Sequence, residues 1–232
     1  MRIAEIFRSI QGEGLLTGTP SVFVRASGCN LRCSFCDTPY ASWKPEGENL
    51  AVEAILARVV ELGEKHVVLT GGEPMLFEDL VPLCAGLRRL GRHITIETAG
   101  TRCLPVQCDL MSISPKLSNS DPSPQQRSAP GGCPAARHRL LRRVPDAVRR
   151  LAAAYACQFK FVVDSPETCR EVEQYLADFP EIDRSRVMLM PQGTDAQTLA
   201  QRAEWLEPYC ADHGLRYCPR KQIEWFGLVR GK

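Results

Sequence analysis

The sequence has no uninterrupted run of the roughly 18 apolar residues that a membrane-crossing helix needs. The opening segment MRIAEIFRSIQGEG lacks the long apolar stretch of an export signal, so a soluble cytoplasmic protein is the expectation. Charge imbalance is missing as well. A formal net charge of +2 calls for neither nucleic acid nor an anionic membrane as partner. There is no internal repeat. Cysteine is not scarce, but its count of 11 is odd, and a chain of 232 residues can bury a full core without disulfides. Eight of the 11 are scattered and read as small core or surface residues, Cys103 and Cys108 being the one pair close enough for a second reading. The other three are Cys29, Cys33 and Cys36 in SGCNLRCSFCDTPY, and they have no fourth cysteine near them.

Short apolar, β-branched runs alternate with amphipathic stretches. Strands are predicted over 21–26, 66–70, 93–98, 109–114, 159–163 and 187–191. Helical periodicity fills 50–63, 77–91, 145–156, 165–179 and 195–214, with Gly91 and Gly214 where C-terminal caps belong. Such alternation predicts a parallel sheet flanked by helices. Six strands are too few for a closed barrel of eight, so the expected fold is α/β: a partial, open six-stranded parallel β/α barrel with N- and C-terminal extensions, as one domain over residues 1–232. Ligands of such sheets sit at the carboxyl ends of the strands. The cysteine loop, TGGEP, ETAG, SPK and MPQG all begin at such ends and should converge. Residues 117–144, rich in Pro, Ser, Gly and Arg, break the pattern as a long irregular excursion, partly mobile and placed to cover the site. Its arginines suit nucleic acid or, as the commoner case, a solvated basic face.

A structural zinc site takes four ligands, and an iron–sulfur cubane used only for electron transfer takes four thiolates. Three thiolates leave one iron open to a small molecule. The missing fourth ligand therefore marks a reactive position.

The C-x-x-x-C-x-x-C spacing, with Phe35 before its last cysteine and LTGGEP downstream, resembles the radical S-adenosylmethionine superfamily. EIFRSIQGEG (5–14) followed by GTPSVFVRASGCNLRCSFCDT (18–38) closely resembles the 7-carboxy-7-deazaguanine synthase family within it. The resemblance implies a carbon–nitrogen lyase carrying a 4Fe–4S cluster, S-adenosylmethionine and Mg²⁺. Its reaction would be the radical-mediated ring contraction of 6-carboxy-5,6,7,8-tetrahydropterin to 7-carboxy-7-deazaguanine with loss of ammonia, in queuosine precursor biosynthesis. It also implies a homodimer and an electron donor such as flavodoxin or ferredoxin.

By the same resemblance, Cys29, Cys33 and Cys36 hold the cluster and Thr38 the Mg²⁺, a hydroxyl being a hard ligand. S-adenosylmethionine would meet Phe35, Cys36, Asp37, Gly72, Glu73, Ser114, Pro115, Lys116, Met190, Pro191, Gln192 and Gly193. The substrate would meet Ile10, Gln11, Gly12, Glu13, Arg25, Thr70 and Gln222, with the planar fork of Arg25 on its carboxylate. Glu13 and Asp37 are candidates for assisting a proton step. Each has a plainer reading: Arg25 paired with an acid, Thr38 capping the next turn, Pro191-Gln192-Gly193 an ordinary turn. Gln222 stands where the family often has histidine, so a titrating role is absent there. Two other functions remain open: another radical enzyme, such as a glycyl-radical activase, which would admit a peptide loop, and a zinc or iron–sulfur binding module, which would ignore S-adenosylmethionine.

Overall fold

The computed structural model describes residues 1–129 and 131–232. Its strands are β1 (Arg2–Ile10), β2 (Pro20–Ala26), β3 (Glu48–Asn49), β4 (His66–Gly71), β5 (His93–Thr98), β6 (Leu110–Ile113), β7 (Cys157–Val163), β8 (Val187–Pro191) and β9 (Arg216–Tyr217). They form one open sheet in the order β3-β1-β2-β4-β5-β6-β7-β8-β9. From β2 to β9 every neighbouring pair is parallel, while β1 runs antiparallel to both β2 and β3. The six expected strands are β2 and β4 to β8. The N-terminal extension is β1, and the C-terminal one is β9 with a final helix.

The helices are α1 (Pro39–Ser42), α2 (Val52–Leu62), α3 (Leu80–Arg89), α4 (Pro124–Ser128), α5 (Ala135–Arg142), α6 (Pro145–Ala154), α7 (Pro166–Asp178), α8 (Ala196–Asp212) and α9 (Lys221–Phe226). Ser165 and Asp195 start α7 and α8 with side chains that accept from the N–H groups of Thr168 and Thr198. Gly91 and Gly214 follow α3 and α8 in the left-handed conformation, at φ +67° and +64°, as expected of a helix stop.

The side-chain alternation of a strand divides each of them between two environments. On β7, Phe159, Phe161 and Val163 enter the main core, where Phe161 meets the edge of Tyr175 and Tyr175 stacks on Phe179. Lys160 and Val162, between them, face the other side, a cavity. On β4, Val67 and Leu69 go to the core and Val68 and Thr70 to the cavity; on β6, Met111 and Ile113 go to the core and Ser112 to the cavity. One face of the sheet is thus apolar beneath the helices, and the other carries polar groups at intervals of two.

The excursion at 117–144 is more ordered than its composition suggests. It contains α4 and α5 and packs against the cysteine loop; its Pro130 lies outside the described residues. Ser123 and Gln126 close a reciprocal capping box at the start of α4. Arg139 and Arg142 both turn to Asp121, at 2.5 and 3.6 Å, which accounts for part of the basic charge.

Candidate functional site

The cavity has a volume of about 540 Å³ and lies at the carboxyl ends of the parallel strands. Cys29, Cys33, Phe35, Cys36, Asp37 and Thr38 line it from the loop after β2. Ile10, Gln11, Gly12 and Glu13 reach it from the end of β1, and Arg25 and Thr70 from β2 and β4. Gly72, Ser114, Lys116, Met190, Gln192 and Gln222 complete the predicted set that reaches it. Glu73, Pro115, Pro191 and Gly193 do not line it.

Glu73 sits behind the wall, fully buried. Its carboxylate accepts from the Met75 N–H at 3.0 Å, the Thr98 hydroxyl at 2.8 Å and the Ala99 N–H at 2.8 Å. Burial raises its pKa. It joins the turns after β4 and β5. The turn after β4 is locked to the cysteine loop by Glu73 N–H to Gly28 O at 2.8 Å, and a Cβ on Gly72 would stand 2.2 Å from that same oxygen. A side chain at 72 would force the two loops apart.

The cysteine thiols suit an iron–sulfur cluster. All three face one cavity, and among the described residues no three His, Cys, Asp or Glu side chains close on a single ion. Separate thiols on one wall match a polynuclear group, in which each iron takes its own thiolate. Burial pushes Cys29 and Cys33 up to about 12, so both remain thiols until a cation replaces the proton. Thr38 precedes α1, but its hydroxyl makes no capping bond and lies 3.8 Å from Cys36 Sγ at the cavity wall. The capping alternative for Thr38 is not what this chain uses, and apart from the long contact to Cys36 Sγ its oxygen can turn to a hard cation.

The same cavity holds a charge network, centred on the buried Lys160 and Arg220, that sequence reading largely missed. Lys160 donates to Glu13 at 3.0 Å and to Glu97 at 2.7 Å, and Thr70 donates to the other oxygen of Glu97 at 2.9 Å. Arg220 bridges Glu13 at 3.3 Å and Asp37 at 2.5 Å, and also donates to the Gly193 carbonyl. Gln222 Nε2 donates to Glu13 at 2.6 Å, leaving its Oε1 buried and unpartnered. Burial alone would raise the Glu13 carboxyl, but Lys160 and Arg220 outweigh it and hold it down at about 2. Lys160 is raised despite its burial, because Glu97 and Glu13 favour its charged form. A carboxyl held that low is a poor proton carrier and a good fixed acceptor. The signal in the sequence was a charge in the middle of an apolar strand, Lys160 in FKFVV and Glu97 in HITIET.

Arg25 pairs through Nε with Glu5 at 2.6 Å, and its guanidinium lies 5.9 Å from the centre of the Phe7 ring. Glu5 also accepts from the Tyr40 hydroxyl at 2.8 Å. The acid-pairing alternative is therefore realised, yet the terminal nitrogens of Arg25 have no protein partner among the described residues. Gly12 is required by close approach: a Cβ there would stand 2.5 Å from the backbone nitrogen of Gln222.

Comparison with known proteins gives three kinds of likeness. The radical SAM superfamily pattern matches residues 23–118. A 7-carboxy-7-deazaguanine synthase of Rhodopirellula baltica is 48% identical over 231 residues, covering 99% of this chain and 88% of its own. One of Halobacterium salinarum is 44% identical over 227 residues, covering 95% and 88%. Among solved structures, QueE from Escherichia coli superimposes with a TM-score of 0.67 over 95% of this chain and 93% of its own, at 24% identity.

Proposed function

We infer the reaction from one premise: this chain belongs to the 7-carboxy-7-deazaguanine synthase family of radical S-adenosylmethionine enzymes. It is a lyase that contracts the ring of 6-carboxy-5,6,7,8-tetrahydropterin, giving 7-carboxy-7-deazaguanine and ammonia. The observation that carries this reading onto the residues is the shared cavity, lined by three thiols and by a fixed pattern of paired charges.

When bound, the 4Fe–4S cluster and S-adenosylmethionine supply hydrogen-atom abstraction from an unactivated carbon. The chain has to hold these groups, orient the substrate and keep water away. Cys29, Cys33 and Cys36 would hold three irons. Phe35, Cys36, Asp37 and Gly72, with Ser114, Lys116, Met190 and Gln192, would take S-adenosylmethionine, Lys116 and Ser114 already lying 2.7 Å apart. Glu73, Pro115, Pro191 and Gly193 would support that site from behind.

The terminal nitrogens of Arg25 are the natural partner of the substrate carboxylate, and Thr38 of the Mg²⁺ beside it. The aminopyrimidinone edge offers two adjacent donors. Glu97, with one lone pair per oxygen still unused after Lys160 and Thr70, is a bidentate acceptor for them. Ile10, Gln11, Gly12, Glu13 and Gln222 would close the remaining edge, with Gln222 Oε1 accepting one more substrate donor. Asp37, tied to Arg220 at the cavity wall, would be the second candidate for assisting a proton step.

The whole chain would work as one unit. A low-potential electron donor such as flavodoxin or ferredoxin, a homodimer and a cytoplasmic setting complete the proposal. Among the described residues no helix is long and apolar enough to cross a membrane.

The test is anaerobic reconstitution followed by incubation with S-adenosylmethionine, Mg²⁺, reductant and 6-carboxytetrahydropterin. The expected product is 7-carboxy-7-deazaguanine, read by mass. Formation of 5′-deoxyadenosine without it, under conditions where a family relative turns over, would reject this substrate.

A further inference from the structure

The cysteine loop has little regular structure of its own. Within residues 29–36 the chain bonds itself only through Cys36 N–H to Cys33 O at 3.3 Å and Leu31 N–H to Cys29 Sγ at 3.4 Å, apart from the Arg32 side chain. That side chain folds back to the carbonyls of Cys29 and Leu31, both at 2.8 Å, and donates outward to Gly131 O at 2.9 Å. Asn30 is held by Thr101, the Cys33 carbonyl accepts from Trp43 Nε1 at 3.1 Å, and Cys36 Sγ lies 3.0 Å from Ser42 Oγ; the middle of the loop is shaped by the excursion. Ser34 N–H donates to Ser120 O at 3.0 Å, Ser34 Oγ donates to Asn119 O at 3.0 Å, and Gln126 donates to Ser34 O at 2.9 Å.

A further contact from the excursion is made by a buried histidine. Arg32 N–H donates to Nδ1 of His138 at 3.1 Å, and His138 has no exposed surface. A backbone N–H can only donate, so Nδ1 is the bare nitrogen and, in a neutral ring, Nε2 carries the proton. Nε2 then donates to Ser120 Oγ at 3.0 Å, and the Ser120 hydroxyl in turn donates to Leu117 O at 2.6 Å. The chain Arg32–His138–Ser120–Leu117 uses each nitrogen of the ring and fixes its tautomer. Burial holds the ring below the ordinary imidazole range, which keeps it neutral.

We propose that His138 is the positioning residue of the cluster loop: together with Ser120 it draws the amides on both sides of Cys33 away from the cavity. That sets the spacing of the thiols before any iron arrives, and limits which amides can reach the sulfurs of a bound cluster. Neither His138 nor Ser120 lines the cavity, so neither can touch substrate. The inference rests on the family reading for the cluster alone, and not on which substrate is turned over.

The experiment uses the full chain, reconstituted anaerobically without substrate or S-adenosylmethionine, as wild type, His138→Leu, His138→Asn and Ser120→Ala. The readouts are iron release to a chelator, the electron paramagnetic resonance spectrum of the reduced cluster, and its midpoint potential. Groups that orient metal ligands from behind are worth about 10- to 100-fold in metal affinity, so His138→Leu should release iron roughly tenfold faster or more. Its spectrum should change, and its potential should rise as the freed Arg32 amide turns to a sulfur. Asn offers an oxygen near the place of Nδ1, so His138→Asn should stay near wild type. If His138→Leu fails to fold by circular dichroism, Ser120→Ala carries the test with the same signs and smaller size.

Unchanged release, spectrum and potential in folded His138→Leu, or failing that in Ser120→Ala, would overturn the proposal. Equal damage in the Asn and Leu variants would also overturn it, since packing rather than the hydrogen bond would then be responsible. Wild-type protein that takes up no cluster would overturn the family reading of the cysteines instead.

Discussion

Lys160 brings its charge to a position where its side chain is 4% exposed, between the carboxylates of Glu13 and Glu97. Removing one partner of such a buried pair typically costs about 3–5 kcal/mol, because the other charges stay behind unpaired. Lys160→Met should therefore lower the denaturant midpoint and raise KM by loosening both acceptors. The sign with pH follows from Glu13, whose folded pKa of about 2 lies below its ordinary 4.5. Its contribution is fully present above pH 4.5 and is lost as pH falls toward 2. The stability gap between wild type and Lys160→Met should be widest above pH 4.5 and narrow below it, as chemical denaturation at several pH values would reveal. Arg25 tests another part of the cavity wall. Arg25→Lys keeps the charge but not the fork, and a charged hydrogen bond is worth about 1.5–3 kcal/mol. KM should rise roughly tenfold or more while iron content is unchanged. A variant with wild-type KM would remove Arg25 from substrate binding.

Strands and helices show where single-sequence reading succeeds and where it stops. The runs HVVLT and VMLMP were legible because buried strands are nearly continuously apolar, and HITIET because it alternates, with Ile94 and Ile96 in the core. Strand β1 was not, because Glu5 and Arg8 interrupt its alternation and its end carries the IQGEG motif. Its Glu5 belongs to the cavity wall, where polarity reports a site and not a loop. Lys160, Glu97 and Arg220 were missed for a related reason: the sequence shows that a strand carries a charge, but not that β5, β7, the loop after β1 and the residue before α9 bring their charges together. The excursion misled by composition. Its prolines and serines are turn formers, yet they position His138 and Ser120 with care.

The opposite ends of the strands hold a second feature at this scale. His66 and His93 are register partners on β4 and β5, with ring centres 4.5 Å apart and both Nδ1 atoms buried without partners. Burial, then the neighbouring His93 and Lys65, lowers the His66 pKa from its ordinary 6.5. Its contribution to stability is complete above pH 6.5 and declines as pH falls through the window below, since the unfolded chain binds the proton more readily. Urea midpoints should fall between pH 7.5 and pH 5.5, and His66→Phe should flatten that fall. A variant with the same slope as wild type would exclude this pair as the cause.

At the scale of the molecule, the cavity is closed by parts of the chain far apart in sequence. Residues 227–232 line its mouth, and Arg230 joins them to the N-terminal half by stacking on Tyr40 at 4.1 Å and pairing with Glu5 and Glu46. Ending the chain after Phe226 should leave iron content as it was, because no cluster ligand is touched. KM should increase, and more uncoupled cleavage of S-adenosylmethionine should appear as water gains access. Steady-state kinetics with a 5′-deoxyadenosine assay would measure both, and unchanged coupling would show the segment to be idle.

The strand order also has a temporal meaning. From β5 onward each strand pairs with the one made before it, β4 joins β2, and the β1–β2 hairpin provides the first template. On a ribosome, such a chain can add one layer at a time to a surface already in place. The cysteine loop emerges early and its brace at 117–144 emerges midway, whereas Arg220 and Gln222, which fix Glu13, are among the last residues made. A nascent chain could thus be ready to receive iron well before it could grip a substrate, and the capacity for radical chemistry would mature only when synthesis is nearly complete.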